Sequence, residues 1–136
     1  MEVVMPEAIM PTDLPADPAV NNTYSYGVRA GDTLHIAGMV SFAADGAIVG
    51  EGDIEAQAEQ AMKNMKAVVE AAGGSMDDIV RTTTYLVDVA DAPIASAARA
   101  RYFTGPVKPT HTVVGVAALG RPAFLIEIEA TAYLGD

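Results

Sequence analysis

Two carboxylates alternate in the apolar segment Leu125-Ile-Glu-Ile-Glu-Ala130 near the end of the chain. Alternation puts Glu127 and Glu129 on one face of an extended strand, with the isoleucines facing the other way. A carboxylate there, dried by a neighbouring surface, has its pKa pushed up toward the strength of a working general base. Left in water, the pair is two charges on a wet strand. Histidine occurs at positions 35 and 111. With an ordinary pKa near 6.5, His111 can serve as general acid, hydrogen-bond donor or weak anion anchor, whereas His35, in mid-strand, reads as structural. Neither the histidines nor the carboxylates have a metal-ligand spacing, so no metal is expected. The chain has no Cys, which removes thiolate nucleophiles, disulfides and Cys-ligated metals, and it holds no G-x-S-x-G segment. Its chemistry is therefore expected to be general acid/base. Arg29, Arg81, Arg99, Arg101 and Arg121 are by default solvated ion-pair partners. The glycine turns at 31 and 50–52 lack the lysine and strand-to-helix setting of a phosphate loop.

These groups must be held by a small set of elements. Residues 24–30 and Thr33 to Gly38 read as two strands joined by a Gly31-Asp32 turn, and Ala47 to Val49 as a brief third strand. From Ile54 to Ala72 apolar residues recur every three or four positions, with Glu59/Lys63 and Lys66/Glu70 paired on the wet side. Asp53 is placed to cap this helix and Gly73-Gly74 to end it. Ile79 to Val87 is β-rich, with Val80, Thr82, Thr84 and Leu86 on one face. Asp91 is placed to cap a second helix running to Phe103, and Pro93 is tolerated in its first turn. His111 to Leu119 and Phe124 to Leu134 complete the strands. The order β-β-β-α-β-α-β-β is an α+β single sheet with two helices on one face. The bare face, with Leu125, Glu127, Glu129, Thr131 and Tyr133 on the last strand, needs a cover, and a homo-oligomer is expected to supply it.

With 136 residues, 51% of them hydrophobic, the chain has the size and apolar content of one domain. Eight Lys+Arg against eighteen Asp+Glu leave a net charge of −10, so a nucleic-acid partner is not expected. The opening residues 1–22 form a Pro-rich arm before the domain at 23–136. They lack a basic segment before an apolar run and carry prolines at 6, 11, 15 and 18, which argues against a signal helix. No apolar stretch reaches the roughly 18 residues of a membrane span, and a cytoplasmic location is expected.

From Tyr24 onward the chain resembles the Rid (YjgF) superfamily. The resemblance rests on Tyr24-Ser25, Ala37-Gly38, Gln57 and Asn64 within the E-A-Q…K-N-M-K-A-V-V-E-A-A-G-G frame, Asp77 to Asp88, Tyr102-Phe103, Pro109, and Leu125 to Ala130. It implies a chorismate-mutase-like fold, a homotrimer, and cofactor-free hydrolysis of small imines or enamines such as 2-aminoacrylate in clefts between subunits. It further implies that Glu127 activates water and that Tyr24 stands at the mouth of the cleft. In that superfamily an arginine two residues after the proline clamps the substrate carboxylate; here the position is His111. Ala37 and Met39 stand where serine and glutamine are usual, and Ser96 and Arg99 where asparagine and tyrosine are usual. The resemblance thus assigns Glu127 and His111 as catalytic and Tyr24, Met39, Arg99 and Thr112 as substrate-binding. Ala37, Met39 and His111 together suggest a less anionic, or a larger and more apolar, substrate than 2-aminoacrylate. Lactone hydrolysis, tautomerisation, or metabolite binding without catalysis are the other readings of the same cleft.

Overall fold

In the structure, a computed structural model describing residues 5–16 and 23–135, the strand Ile126–Tyr133 has the period of two that one covered face demands. Ile126, Ile128, Ala130 and Ala132 are buried; Glu127, Glu129 and Thr131 are partly exposed. This strand, β6, is central. The others are β1 (Glu7–Ile9), β2 (Gly27–Ala30), β3 (Thr33–Met39), β4 (Ile79–Leu86) and β5 (Thr110–Gly115), in the sheet order β1-β2-β3-β6-β4-β5. Among the described strand pairs only β4–β5 is parallel. Helices α1 (Ile54–Ala71) and α2 (Ala92–Tyr102) precede β4 and β5 respectively. The core lies between the helices and the sheet: Ala58, Met62, Met65 and Val69 of α1 share one cluster with Leu34, Ile36, Leu86, Ile126 and Ile128. The fold is therefore the expected α+β single sheet.

Its details depart from expectation in several places, and β5 ends at Gly115 rather than Leu119 while β6 begins at Ile126 rather than Phe124. The arm contributes β1, whose Ile9 lies opposite Gly27; Leu14 is buried, and the Tyr26 hydroxyl donates to the Pro15 carbonyl at 2.6 Å. Arm residues 1–4 and 17–22 lie outside the described residues, as does Asp136. The third strand at 47–49 is reduced to one bridge, Phe42 to Ile48. In β4 a register shift between Ile79 and Arg81 turns Ile79 inward and leaves Val80 49% exposed, while Thr82, Thr84 and Leu86 face the helices. Asp91 makes no side-chain cap on α2; Asp88 instead caps the short 3₁₀ turn before it, accepting from Ala90 N at 3.0 Å. Glu59 pairs not along its own helix but with Arg101 of α2 at 3.0 Å and with the Tyr102 hydroxyl at 2.7 Å. The long helix keeps its predicted ends. Asp53 accepts from Ala56 N at 3.1 Å, and Gly73 takes the left-handed φ of 88° that ends the helix.

Two polar residues sit on the buried face of α1. Gln57, 0% exposed, donates to the carbonyls of Gly50 (3.1 Å) and Ala123 (2.8 Å) and accepts from Leu125 N (2.9 Å). Asn64 donates to the carbonyls of Val40 (2.8 Å) and Phe42 (2.9 Å) and accepts from Gln60 Nε2 (2.8 Å). They satisfy the loop backbones that enter and leave the sheet, groups that secondary structure leaves unpaired. Gln57→Leu orphans three of these backbone groups and is expected to lose about 3 kcal/mol or more in denaturant unfolding. The exposed cap variant Asp53→Ala is expected to lose about 1 kcal/mol; equal losses would contradict this role for Gln57.

Candidate functional site

Glu127 faces away from the helices, opposite Tyr85 of β4. Where β3 passes it, Ile36 pairs with Ala130 but Met39 with Ile128, so β3 carries one residue more than its partner. The resulting bulge at Ala37-Gly38 brings backbone against the carboxylate. A Cβ at Gly38 would sit 2.6 Å from Glu127 Cδ and 2.9 Å from Oε1, so only glycine lets the two lie together. Tyr24, Gly38, Val40, Phe42, Arg121 and Phe124 surround a cleft of about 450 Å³ over the carboxylate. Its aromatic wall is an edge-to-face pair, Phe42 and Phe124, with centroids 5.1 Å apart and the Arg121 guanidinium 5.2 Å from the Phe42 centroid. Gln57 and Asn64 hold the two loops that supply this wall.

The cleft is only half wet, and its charges respond. Burial, then the nearby Glu129 charge, pushes Glu127 above the ordinary carboxylate pKa. Glu129 is itself engaged by the Tyr85 hydroxyl. Burial also raises the Tyr24 phenol, with Tyr26 and Glu127 adding to the rise and Arg121 opposing it, so Tyr24 stays protonated and able to donate. Tyr24 is 43% exposed at the mouth.

His111 lies elsewhere. It is opposite Thr82 in the β4–β5 pair and therefore on the helix-covered face, in a cavity of about 290 Å³ lined also by Ser96 and Arg99 of α2, with Phe103, Lys108 and Pro109. Its Nδ1 is 2.8 Å from Thr82 Oγ1, and that hydroxyl is 3.2 Å from the Thr110 carbonyl. The assignment that satisfies all three groups has the hydroxyl donating to the carbonyl and Nδ1–H donating to the hydroxyl. Nε2 then carries the lone pair; it is buried, with no hydrogen-bond partner among the described residues. Burial and the Arg99 charge lower the His111 pKa, so the imidazole is neutral at neutral pH.

Within one chain Glu127 and His111 thus sit on opposite faces of the sheet, Tyr24 joining Glu127 and Arg99 joining His111. Thr112 alternates away from His111 and is among the lining residues of neither cavity. Met39 is a correction: 2% exposed and part of the core cluster, it points beneath the bulge and away from the cleft. Phe42, Phe124, the Thr82 contact and the anchoring roles of Gln57 and Asn64 were missed from sequence. Two amides seven residues apart on an otherwise apolar helix face were the available signal for the anchors.

Known proteins agree with this architecture. Residues 15–134 match the family described as Endoribonuclease L-PSP. A RutC family protein of Pyrococcus horikoshii is 40% identical over 110 residues, 81% of this chain and 86% of the relative. A protein named 2-iminobutanoate/2-iminopropanoate deaminase, from Dermatophagoides farinae, is 34% identical over 125 residues, 92% of this chain and 94% of its own length. Among solved structures, a Rid family protein of Yersinia pestis superposes with a TM-score of 0.87 at 30% identity, covering 95% of this chain and 99% of that one. RidA from an Antarctic Psychrobacter gives 0.83 at 33% identity, covering 93% and 98%. With the match running through both cavities and every helix and strand from β2 onward, the chain belongs to the endoribonuclease L-PSP family and so to the Rid superfamily.

Proposed function

We propose that this chain is a cofactor-independent deaminase of small imines and enamines, working in the cytoplasm as a homotrimer whose clefts form between subunits. The observation that carries the reading is Glu127, a half-buried carboxylate of raised pKa on the floor of a cleft, held against a glycine bulge. A protein 34% identical to this chain is named as a deaminase of 2-iminobutanoate and 2-iminopropanoate. Net charge −10 speaks against RNA as the substrate, despite the family's name.

The separation of the two half-sites supports an assembly. Glu127 opens on the bare face of the sheet and His111 lies on the edge strand β5, which carries Val113 and Val114 at the surface. A second copy laid against that edge brings its own Glu127 cleft to the His111 cavity and covers apolar surface in doing so. Across that junction the Glu127 carboxylate takes a proton from water as the water oxygen bonds to the C=N carbon. The proton passes to the nitrogen, while His111 Nε2, with its free lone pair, orients the nitrogen by accepting one of its N–H bonds. The C–N bond then breaks as Glu127 takes the proton of the new hydroxyl and passes it to the departing nitrogen, releasing ammonia and a 2-oxo acid and leaving the carboxylate as it began. Tyr24 donates to the forming C–O group.

Glu127→Gln is expected to cut turnover of 2-iminobutanoate, generated in situ and followed as 2-oxo acid formed, by about 10² or more; turnover within about threefold of wild type would exclude this base. The raised pKa has a second consequence. The folded chain holds the Glu127 proton more tightly than the unfolded chain, so this group's stabilisation is full below the unfolded pKa near 4.5 and is lost as pH rises through the folded value. Glu127→Gln should therefore raise the unfolding midpoint relative to wild type at pH 7 and not at pH 4, and a deficit at pH 7 would contradict it. Wild-type activity should lose its base on acidification at a higher pH than an ordinary carboxylate would. Gly38→Ala displaces the carboxylate, and kcat should fall about tenfold or more with the fold retained by circular dichroism.

A further inference from the structure

Eight cations serve a chain with eighteen acids, yet the cavity under α2 is lined by Arg99, Lys108 and His111 with no carboxylate among the described residues. Arg99 is half-buried, and burial alone lowers its pKa; its charge is short of solvent. A guanidinium in that state ordinarily has an acid beside it. The ion pairs among the described residues belong instead to Arg29 with Asp32 and Arg101 with Glu59. The fork of Arg99 gives a single bond, Nη1 to Thr84 Oγ1 at 3.2 Å. Of five N–H donors most are uncommitted. Lys108 is otherwise engaged: its Nζ donates to the carbonyls of Phe103 (2.7 Å) and Gly105 (2.8 Å) at the end of α2. It adds positive charge at the rim and no fork.

We propose that Arg99 is the carboxylate-binding residue of this cleft, holding a small 2-imino acid, or the 2-oxo acid it yields, by its carboxylate, while His111 Nε2 accepts from the imine N–H on the adjacent carbon. The identity of the acid rests on the deaminase reading above; the need for an anion rests on the cavity itself. In such an acid the carboxylate and the C=N nitrogen stand on neighbouring carbons, and the cavity offers a free cationic fork next to an unpartnered acceptor, His111 Nε2. Its volume of about 290 Å³ lies at the bottom of the roughly 300–1,000 Å³ typical of drug-sized ligands, which suits a molecule of a few heavy atoms. The clamp missing from strand position 111 is thus supplied from helix position 99. The substrate is anionic after all, contrary to what His111 alone suggests, and Met39, being in the core, gives the pocket no apolar lining.

Binding, rather than turnover, isolates this claim. The intact oligomer is titrated calorimetrically with 2-oxobutanoate, the hydrolysis product of 2-iminobutanoate, and with uncharged 2-oxobutanamide. Wild type should bind the acid at least about tenfold more tightly than the amide. Arg99→Met, which keeps the apolar stem, should weaken the acid about tenfold or more, and Lys108→Met less than about threefold. Arg99→Lys, which keeps charge but loses the fork, should fall between and decides the matter if the Met variant proves unfolded by thermal melting. Equal binding of acid and amide, no binding of the acid by wild type, or unchanged affinity in the Arg99 variants would overturn the assignment. Failure here with deamination intact leaves Glu127 as the base and moves the anion anchor elsewhere; Arg99-dependent binding without turnover refutes the deaminase reading and keeps the anchor.

Discussion

Two helices on one side of a six-stranded sheet leave the other side bare, and the rest of the molecule follows from that asymmetry. Each strand residue must belong to the covered face or the bare one. On β6 the isoleucines and alanines take the covered face, so Glu127 and Glu129 take the bare one. On β5 His111 takes the covered face, where α2 brings Arg99 to it. One chain therefore carries a carboxylate cleft and a cationic cavity that its own sheet keeps apart.

Each half-site is built by an exception to regular structure. An extra residue in β3 presses Gly38 onto Glu127, and the amides of Gln57 and Asn64 hold the loops around it from the core side. On the other face, one threonine hydroxyl fixes the His111 tautomer and another takes a single bond from Arg99. Burial then acts in opposite senses on the two sets. It lifts the Glu127 pKa and lowers those of His111 and Arg99, keeping the imidazole neutral while the guanidinium remains a cation short of solvent.

The fold was legible in the sequence wherever periodicity reported burial. The long helix, its Asp53 cap, its glycine end and the two faces of β6 were all evident from spacing. Val80 was misplaced because a register shift has no signature in a run of β-branched residues, and β1 was missed because three residues in a Pro-rich arm are too few to show alternation. Glu127 could be singled out from its neighbours and from the family resemblance. Met39 could not be placed, because the bulge that turns it into the core is invisible in the order of residues. Nor could the sequence show that Arg99 has no acid beside it among the described residues, since ion pairing depends on which distant side chains arrive. Arg101 does find Glu59, 42 positions away. Of two arginines on one short helix, only the three-dimensional arrangement shows which is spent and which is free.

The central claim is that catalysis joins Glu127 of one copy to His111 and Arg99 of another. Mixing subunits tests it most directly: Glu127→Gln and His111→Ala chains, each inactive alone, are unfolded together and reassembled in equal amounts. If the cleft is shared, random assembly places intact halves together in about a quarter of the junctions, and about a quarter of wild-type activity returns. A mixture as inactive as its two components would contradict the account.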